Sequence, residues 1–511
     1  MMPRALLLRA SALPVLMAAR ALSAPAAVTL PSRAAVSVVE ATYVSWNIDP
    51  SCNRGFHHTF FDNPNLIAAA TALAPSVLRF GGSGADALVY GLSPGAPECA
   101  GVAPVDCGYT TPGCLNATHW QRLRTLASAS NTSFLFGVSF DLPAACAAGA
   151  AYVWNSSAAA GLLRYLAASG EPRVWGFELG NEANNNGGPP CNLTAASQAA
   201  ALAEFAEMLR AAAPGARLVG PDTGYRDAEA WLRALLPLLP AGTLHAVTHH
   251  VYPGASRKNF NTPAQLDSTL PELAWYTSLI AELAPGAQVW AGEDGPIGGG
   301  NDGTCGAGSI CGTFASALWY ADDLALRARH GFSHYQRQDL FGGAYGLTNS
   351  ASGAMALQPQ EPLVLRPDFW LAWLWKRVAG TAVLAPASSS ATVRAYAFAG
   401  APPSPFGEAA SCSSLTLVLL NLDAAAPADV ALPPPAAGES GEFAAWTLAA
   451  GGGGPFDAAA TLNGAPLPAV VDGAKVDPRT FLQRITQPPR RAPVAGGLTL
   501  PPLSVSFVCY E

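Results

Sequence analysis

The stretch Val174-Trp175-Gly176-Phe177-Glu178-Leu179-Gly180-Asn181-Glu182 decides how this chain is read. A short apolar run stops at Gly180 and two polar side chains, Asn181 and Glu182, follow at once. Such a run predicts a buried parallel strand whose end delivers those side chains into the space above a sheet. A carboxylate buried there without a partner costs several kcal/mol, so it calls for a role. A second run of the same form, Gln288-Val289-Trp290-Ala291-Gly292-Glu293, comes later. Two strands, each closed by Gly and Glu, predict paired carboxylates on one face of a barrel, the arrangement that glycoside hydrolysis requires.

Outward from these two runs, strand-like segments recur at 42–46, 76–80, 133–140, 174–180, 217–221, 246–250, 288–292 and 334–338. Alanine- and leucine-rich segments at 196–213, 227–239, 270–283 and 313–329 lie between them. Strands alternating with helices predict an α/β fold, a (β/α)8 TIM barrel over 41–378. From about Gly380 the pattern becomes alternating strands at 392–398, 414–421, 443–448 and 504–510, separated by Pro- and Gly-rich turns. With no helical pattern among them, they predict a β-sandwich over 379–511. An isolated strand is expected at 34–39, and a strand from 28–40 is expected to join the sandwich.

Composition narrows the class. Apolar residues make up 50% of the 511 and charged residues 12%, which argues against disorder. The net charge is −7 with only three lysines, Lys258, Lys376 and Lys475, so no basic stripe for nucleic acid is present. The 10 cysteines form no CxxC pair or metal-ligand spacing, and no metal or cofactor is expected. Sequons at Asn116, Asn131, Asn155 and Asn192 point to an oxidising, secretory route. Residues 1–23 read as a signal peptide, with Arg4 and Arg9 before an apolar stretch and small residues at the cleavage site. No acidic residue precedes Glu40, which leaves an organelle transit peptide as the second reading. The expected location is extracellular or in the endomembrane lumen, lysosome and vacuole included. No run reaches the roughly 18 apolar residues of a membrane span. The oligomeric state is left open.

Polar residues fall where a barrel builds its site, at the C-terminal ends of strands. Asn47 and Asp49 follow the first strand, and Arg79-Phe80-Gly81-Gly82-Ser83 closes the second. Asp222 follows the fifth, His249-His250 end the sixth and Arg337-Gln338 end the eighth. The Asn181 amide suits a sugar hydroxyl beside the reacting carbon, a contact that strengthens as oxocarbenium character develops. Arg79 suits Glu293 as the partner that keeps it ionised and oriented.

These motifs, in this order, resemble glycoside hydrolase family 79, the family of heparanase and related β-glucuronidases. The resemblance rests on Phe177 to Glu182, Ala291-Gly292-Glu293, Gly298-Gly299-Gly300, Leu78 to Gly82, Gly220-Pro221-Asp222, His249-His250, Arg337-Gln338 and Phe369-Trp370-Leu371. It runs from about Ala41 to the C-terminus. It implies a retaining mechanism with Glu182 as acid/base and Glu293 as nucleophile. It also implies that Asp49, Ser83, Asn181, His249 and Gln338 contact the sugar, and that Gly298, Gly299 and Tyr345 receive a uronate carboxylate. A glycine run lets backbone amides approach an anion closely, and a phenol donates to it. The family's sandwich disulfide implies a Cys412–Cys509 pair, and closing so long a loop contributes about 4 kcal/mol. Cys305 and Cys311, flanking a Gly-rich turn, are a second candidate pair.

There are departures. The family's His-His-Tyr-Tyr reads His249-His250-Val251-Tyr252, which predicts one hydroxyl fewer near the nucleophile. Ser83 replaces a threonine, and the loops after Glu293 and between Gln338 and Tyr345 are each shorter by one residue than in heparanase. A short segment from Gly91 to Thr118 stands in place of heparanase's excised linker, so a single uncut chain is expected. The expected partner is a glycan containing glucuronic acid. The loop after His250 offers only Arg257 and Lys258, few cations for a polysulfated chain. The alternatives are a related barrel hydrolase acting on neutral xylosides or arabinosides, and a non-catalytic carbohydrate-binding relative, against which the presence of both Glu182 and Glu293 argues.

Overall fold

The computed structural model describes residues 24–50, 56, 59–92, 99, 113–140, 152–169, 174–185, 192–298, 305–306, 308–405, 412, 414–475, 477–483, 485 and 487–511. The signal peptide read at 1–23, and Gly299 and Gly300 of the glycine run, lie outside them.

Eight parallel strands close into a barrel in chain order: β1 (Val44–Ile48), β2 (Val77–Phe80), β3 (Ser133–Val138), β4 (Gly176–Leu179), β5 (Arg217–Thr223), β6 (Ala246–Val251), β7 (Gln288–Asp294) and β8 (His334–Arg337). The helices on the outside are α1 (Pro64–Ala72), α2 (Ala117–Ala129), α3 (Ser157–Ser169), α4 (Ala195–Ala212), α5 (Ala228–Leu235), α6 (Leu270–Leu283), α7 (Phe314–Arg329) and α8 (Pro367–Val378). Local chemistry starts them: the Asn63 side chain caps α1 ahead of Pro64, and Thr194 and Ser197 form a reciprocal capping box on α4.

Alternation along each strand divides the molecule into an inside and an outside. Val77, Leu135, Val219, Ala246 and Trp290 fill the barrel floor. Phe177, Leu179 and Val247 belong instead to the large core shared with the helices. A filled floor leaves the C-terminal mouth as the open end.

After α8, one sheet runs through Ser37–Val38, Ala382–Leu384, Val393–Ala399, Leu415–Asn421, Ser504–Tyr510, Glu442–Ala450, Ala460–Leu462 and Ala465–Pro466. A second sheet of four strands, Ala387–Ser388, Ala26–Thr29, Ala428–Ala431 and Leu498–Leu500, packs on it through Val28, Leu417, Val430, Phe443 and Leu498. The first sheet's other face is tied to the barrel: Tyr396 donates to Asp322 at 2.6 Å, and the Trp375 and Phe398 rings lie 4.9 Å apart. Cys412 and Cys509 are bonded across it, and so are Cys305–Cys311 and Cys99–Cys114 elsewhere.

Two expectations change. The single N-terminal strand is two short ones in different sheets, because Pro31 and Ser32 break the run between Ala26–Thr29 and Ser37–Val38. The C-terminal part also holds a helix, Pro478–Gln483, whose Leu482 carbonyl accepts from Trp373 Nε1 and Arg377 Nη2 on α8, both at 2.7 Å.

Candidate active site

At the barrel mouth one guanidinium gathers side chains from three other strands or their ends. Arg79 on β2 is fully buried and donates from Nε to Glu178 Oε2 at 2.6 Å, from Nη1 to Glu293 Oε2 at 2.9 Å, and from Nη2 to Asp222 Oδ2 and Asn181 Oδ1 at 3.1 Å each. Inward parity places Arg79 and Glu178 there, two residues beyond floor-facing Val77 and Gly176.

Burial pushes the Glu178 carboxyl well above the usual carboxylate range, against the pull of Arg79. Burial also presses on Asp222, but Arg79 and His250 outweigh it and hold that carboxyl low.

Glu182 and Glu293 come together. One oxygen from each and one His250 nitrogen all lie within 4.8 Å of one another. Glu182 Oε1 faces His250 Nδ1 at 3.0 Å, and Oε2 accepts from Asn185 Nδ2 at 2.6 Å. Burial alone would raise Glu182; the hydrogen bond and charge of His250, with Asn185 and Arg79, outweigh it and lower the carboxyl. Glu293 Oε1 accepts from the Tyr252 hydroxyl at 2.5 Å. The hydroxyl beside Glu293 is thus present despite Val251, which falls on the opposite strand face from His250.

The backbone around Glu182 is constrained. Glu182 and Asp222 both adopt left-handed φ values, 47° and 53°, which cost a non-glycine residue of order 1–3 kcal/mol each. The Glu182 amide donates to the Asp222 carbonyl at 2.8 Å, and the two turns hold each other. Asn185 is fixed in turn by the Arg226 amide at 3.0 Å, and it fits only because residue 224 is glycine, where a Cβ would overlap its amide.

The other residues singled out from sequence fall around this pair. Asp49 is buried beside Gly82, where φ is 124° and an added Cβ would sit 2.6 Å from its carboxyl carbon. The Asn181 amide nitrogen reaches Ser83 Oγ at 3.4 Å, and its backbone amide donates to Asp86 at 3.0 Å. Gln338 is fully buried and neither amide atom has a partner among the described residues. The Tyr345 ring centroid lies 6.2 Å from that of Tyr252, and a Cβ added at Gly298 would lie 3.7 Å from Tyr252.

His249 is placed elsewhere. It faces the helices, with Nδ1 2.8 Å from the Thr223 carbonyl and Nε2 2.6 Å from Glu272 on α6. Alternation sends it outward and His250 inward, so His250 is the histidine of the site. Glu178, Asn185, His250 and Tyr252 carry site contacts that no role had been given to from sequence. A cation at Glu182, His250 and Glu293 is disfavoured, because an imidazole held between carboxylates keeps the proton that a metal ligand must lose.

A closed parallel barrel with a cluster of this kind at its mouth belongs to the class of barrel glycoside hydrolases. The chain is a member of glycosyl hydrolase family 79, whose N-terminal domain model matches residues 46–325. It is 27% identical to heparanase-like protein 1 of Arabidopsis thaliana over 337 residues, 63% of this chain and 59% of that protein, so the match spans less than two thirds of that relative's length. It is 28% identical to heparanase of Bos taurus over 393 residues, 68% of each chain. It is 25% identical to baicalin-beta-D-glucuronidase of Scutellaria baicalensis over 410 residues, 73% of this chain and 71% of the other. Among solved structures, an α-L-arabinofuranosidase of Thermotoga maritima superposes with a TM-score of 0.65 at 13% identity, covering 95% of this chain and 100% of that one, a likeness of fold. Among the described residues no helix is long and apolar enough to cross a membrane.

Proposed function

We propose that this protein is a retaining β-glucuronidase that cleaves glucuronic-acid β-glycosidic bonds in a polysaccharide or proteoglycan, with Glu293 as nucleophile and Glu182 as acid/base. The observation that carries the reading is the approach of the two carboxylates, with an oxygen of each inside 4.8 Å. Retaining sites hold their carboxyl groups about 5–5.5 Å apart, whereas inverting sites leave about 6.5–9.5 Å for a water. Arg79 and Tyr252 both bind Glu293, which fixes its orientation toward the sugar. Asp49, Ser83, Asn181 and Gln338 supply polar contacts for sugar hydroxyls, and the unpartnered Gln338 amide is the least committed of them. Tyr345 and the amide of Gly298 form the uronate-binding side, with Gly299 next in the chain. Relatives named as heparanase and as a glucuronidase favour this reading over a neutral pentoside.

Secretion is part of the same reading. Asn131, Asn155 and Asn192 are exposed, whereas Asn116 is half-buried and its side chain caps α2. The bonded cysteines fit an oxidising compartment.

The test uses 2-deoxy-2-fluoro glucuronide, which slows breakdown of a glycosyl-enzyme, together with chromogenic β-glucuronide and β-xyloside. The label is expected on the peptide holding Glu293, with β product released first, preference for the glucuronide, and no turnover by Glu293→Gln. A label on another residue, α product first or preference for the xyloside would overturn it.

A further inference from the structure

His250 is fully enclosed, and both of its ring nitrogens face carboxylates: Nδ1 lies 3.0 Å from Glu182 Oε1 and Nε2 3.3 Å from Asp222 Oδ1. A neutral imidazole has one donor and one acceptor nitrogen. An acceptor nitrogen facing an ionised carboxylate oxygen is repelled. The three groups must therefore share one extra proton, either as an imidazolium or as a carboxylic acid beside a neutral ring. Asp222 is the poorer holder because Arg79 also binds it, at 3.1 Å. The extra proton belongs to the contact between His250 and Glu182.

We propose that His250 and Glu182 act as one proton-donating unit, in which His250 stores the proton that Glu182 passes to the leaving oxygen and Asp222 holds the ring. The proposal rests on the reading of Glu182 as the acid/base given above. In the first step Glu293 bonds to the anomeric carbon and the bond to the leaving oxygen breaks. Glu182 protonates that oxygen and receives the Nδ1 proton of His250. The pair is left as a neutral imidazole, still donating from Nε2 to Asp222, beside an ionised Glu182. In the second step water attacks the anomeric carbon, the bond to Glu293 breaks, and the water's proton returns to the pair.

The charges around the ring favour storage there. Facing it are Glu182 after β4, Asp222 on β5, and Glu293 and Asp294 on β7, with Arg79 on β2 as the opposing cation. Burial works against a charged ring, but Glu293 and the two hydrogen-bonded carboxylates outweigh it and push His250 up to about 10. The same contact lowers Glu182, which favours the ring as the place where the proton rests.

Two measurements decide it. In the whole chain, 15N NMR of labelled histidine, with His250 assigned by its loss in His250→Gln, should show both ring nitrogens protonated at pH about 7 in the wild type. In kinetics, His250→Gln keeps a donor to Glu182 but holds no transferable proton. It should lose about 100-fold in kcat/KM on a glucuronide with a poor leaving group and less than about tenfold on an activated aryl glucuronide. Its alkaline limb should move to lower pH. A neutral ring in the wild type overturns the proposal without recourse to any variant. An unmoved alkaline limb with equal losses on both substrates does the same. A wild type that hydrolyses no glycoside would instead remove the reading of the site on which the proposal stands.

Discussion

Replacing Arg79 with methionine asks whether one guanidinium holds the site together. Methionine keeps part of the side chain's bulk and removes the charge bonded to Glu178 at 2.6 Å, Glu293 at 2.9 Å and Asp222 at 3.1 Å. Removing one partner of a buried ion pair costs about 3–5 kcal/mol. Three carboxylates lose their cation here, so the upper end, about 5 kcal/mol at neutral pH, is expected. The carboxyls would respond by holding protons, and their folded pKa values would rise above the unfolded ones. Stability from such groups is complete below about pH 4.5 and is lost as pH rises through the raised folded value. Each proton retained steepens the fall by about 1.4 kcal/mol per pH unit, so one retained proton should widen the gap to wild type by about 3 kcal/mol between pH 5 and 7. Urea denaturation followed by tryptophan fluorescence at both pH values measures this, and Arg79→Lys should fall between the other two. A gap under about 1 kcal/mol, or one that does not change with pH, would refute the assignment of Arg79 as the main counter-ion.

Glu182→Ala should lose about 100- to 10,000-fold on glucuronides with poor leaving groups and far less on activated aryl glucuronides, with azide restoring part of the turnover. Equal losses and no rescue would argue against Glu182 as the acid. Burial, over the pull of nearby donors and cations, raises Asp86 to about 8, Asp294 to about 7 and Asp322 to about 6. Folded pKa values above the unfolded ones give stability that is lost as pH rises from about 4 toward those values. Differential scanning calorimetry should therefore show Tm falling between about pH 5 and 8; a flat or rising profile would refute the burial argument.

The barrel was legible because a parallel strand buried on both faces tends to be an apolar run, and each run here ends in, or is followed at once by, glycine or a polar residue. The ends of two strands were read short for the same reason. β5 continues to Thr223 and β7 to Asp294, polar residues that still pair in the sheet. The split N-terminal strand was hidden because two or four residues carry too little periodicity to separate from a loop.

The choice between His249 and His250 was open to reasoning from sequence. Floor-facing Ala246 puts Thr248 and then His250 inward, and the outward face gives Val247 and His249 to the helices. The same parity turns Arg79, Glu178 and His250 to one interior, which the fold brings within reach of Asp222, Glu182 and Glu293. Two cations then face four carboxylates, and a buried cluster cannot carry such an excess of charge without binding protons. That count needs the fold, because alternation from floor-facing Val219 and Trp290 would send Asp222 and Glu293 outward. Which groups hold the protons is set by contacts between segments distant in sequence, such as His250 on Glu182 and Tyr252 on Glu293, and no periodicity encodes those.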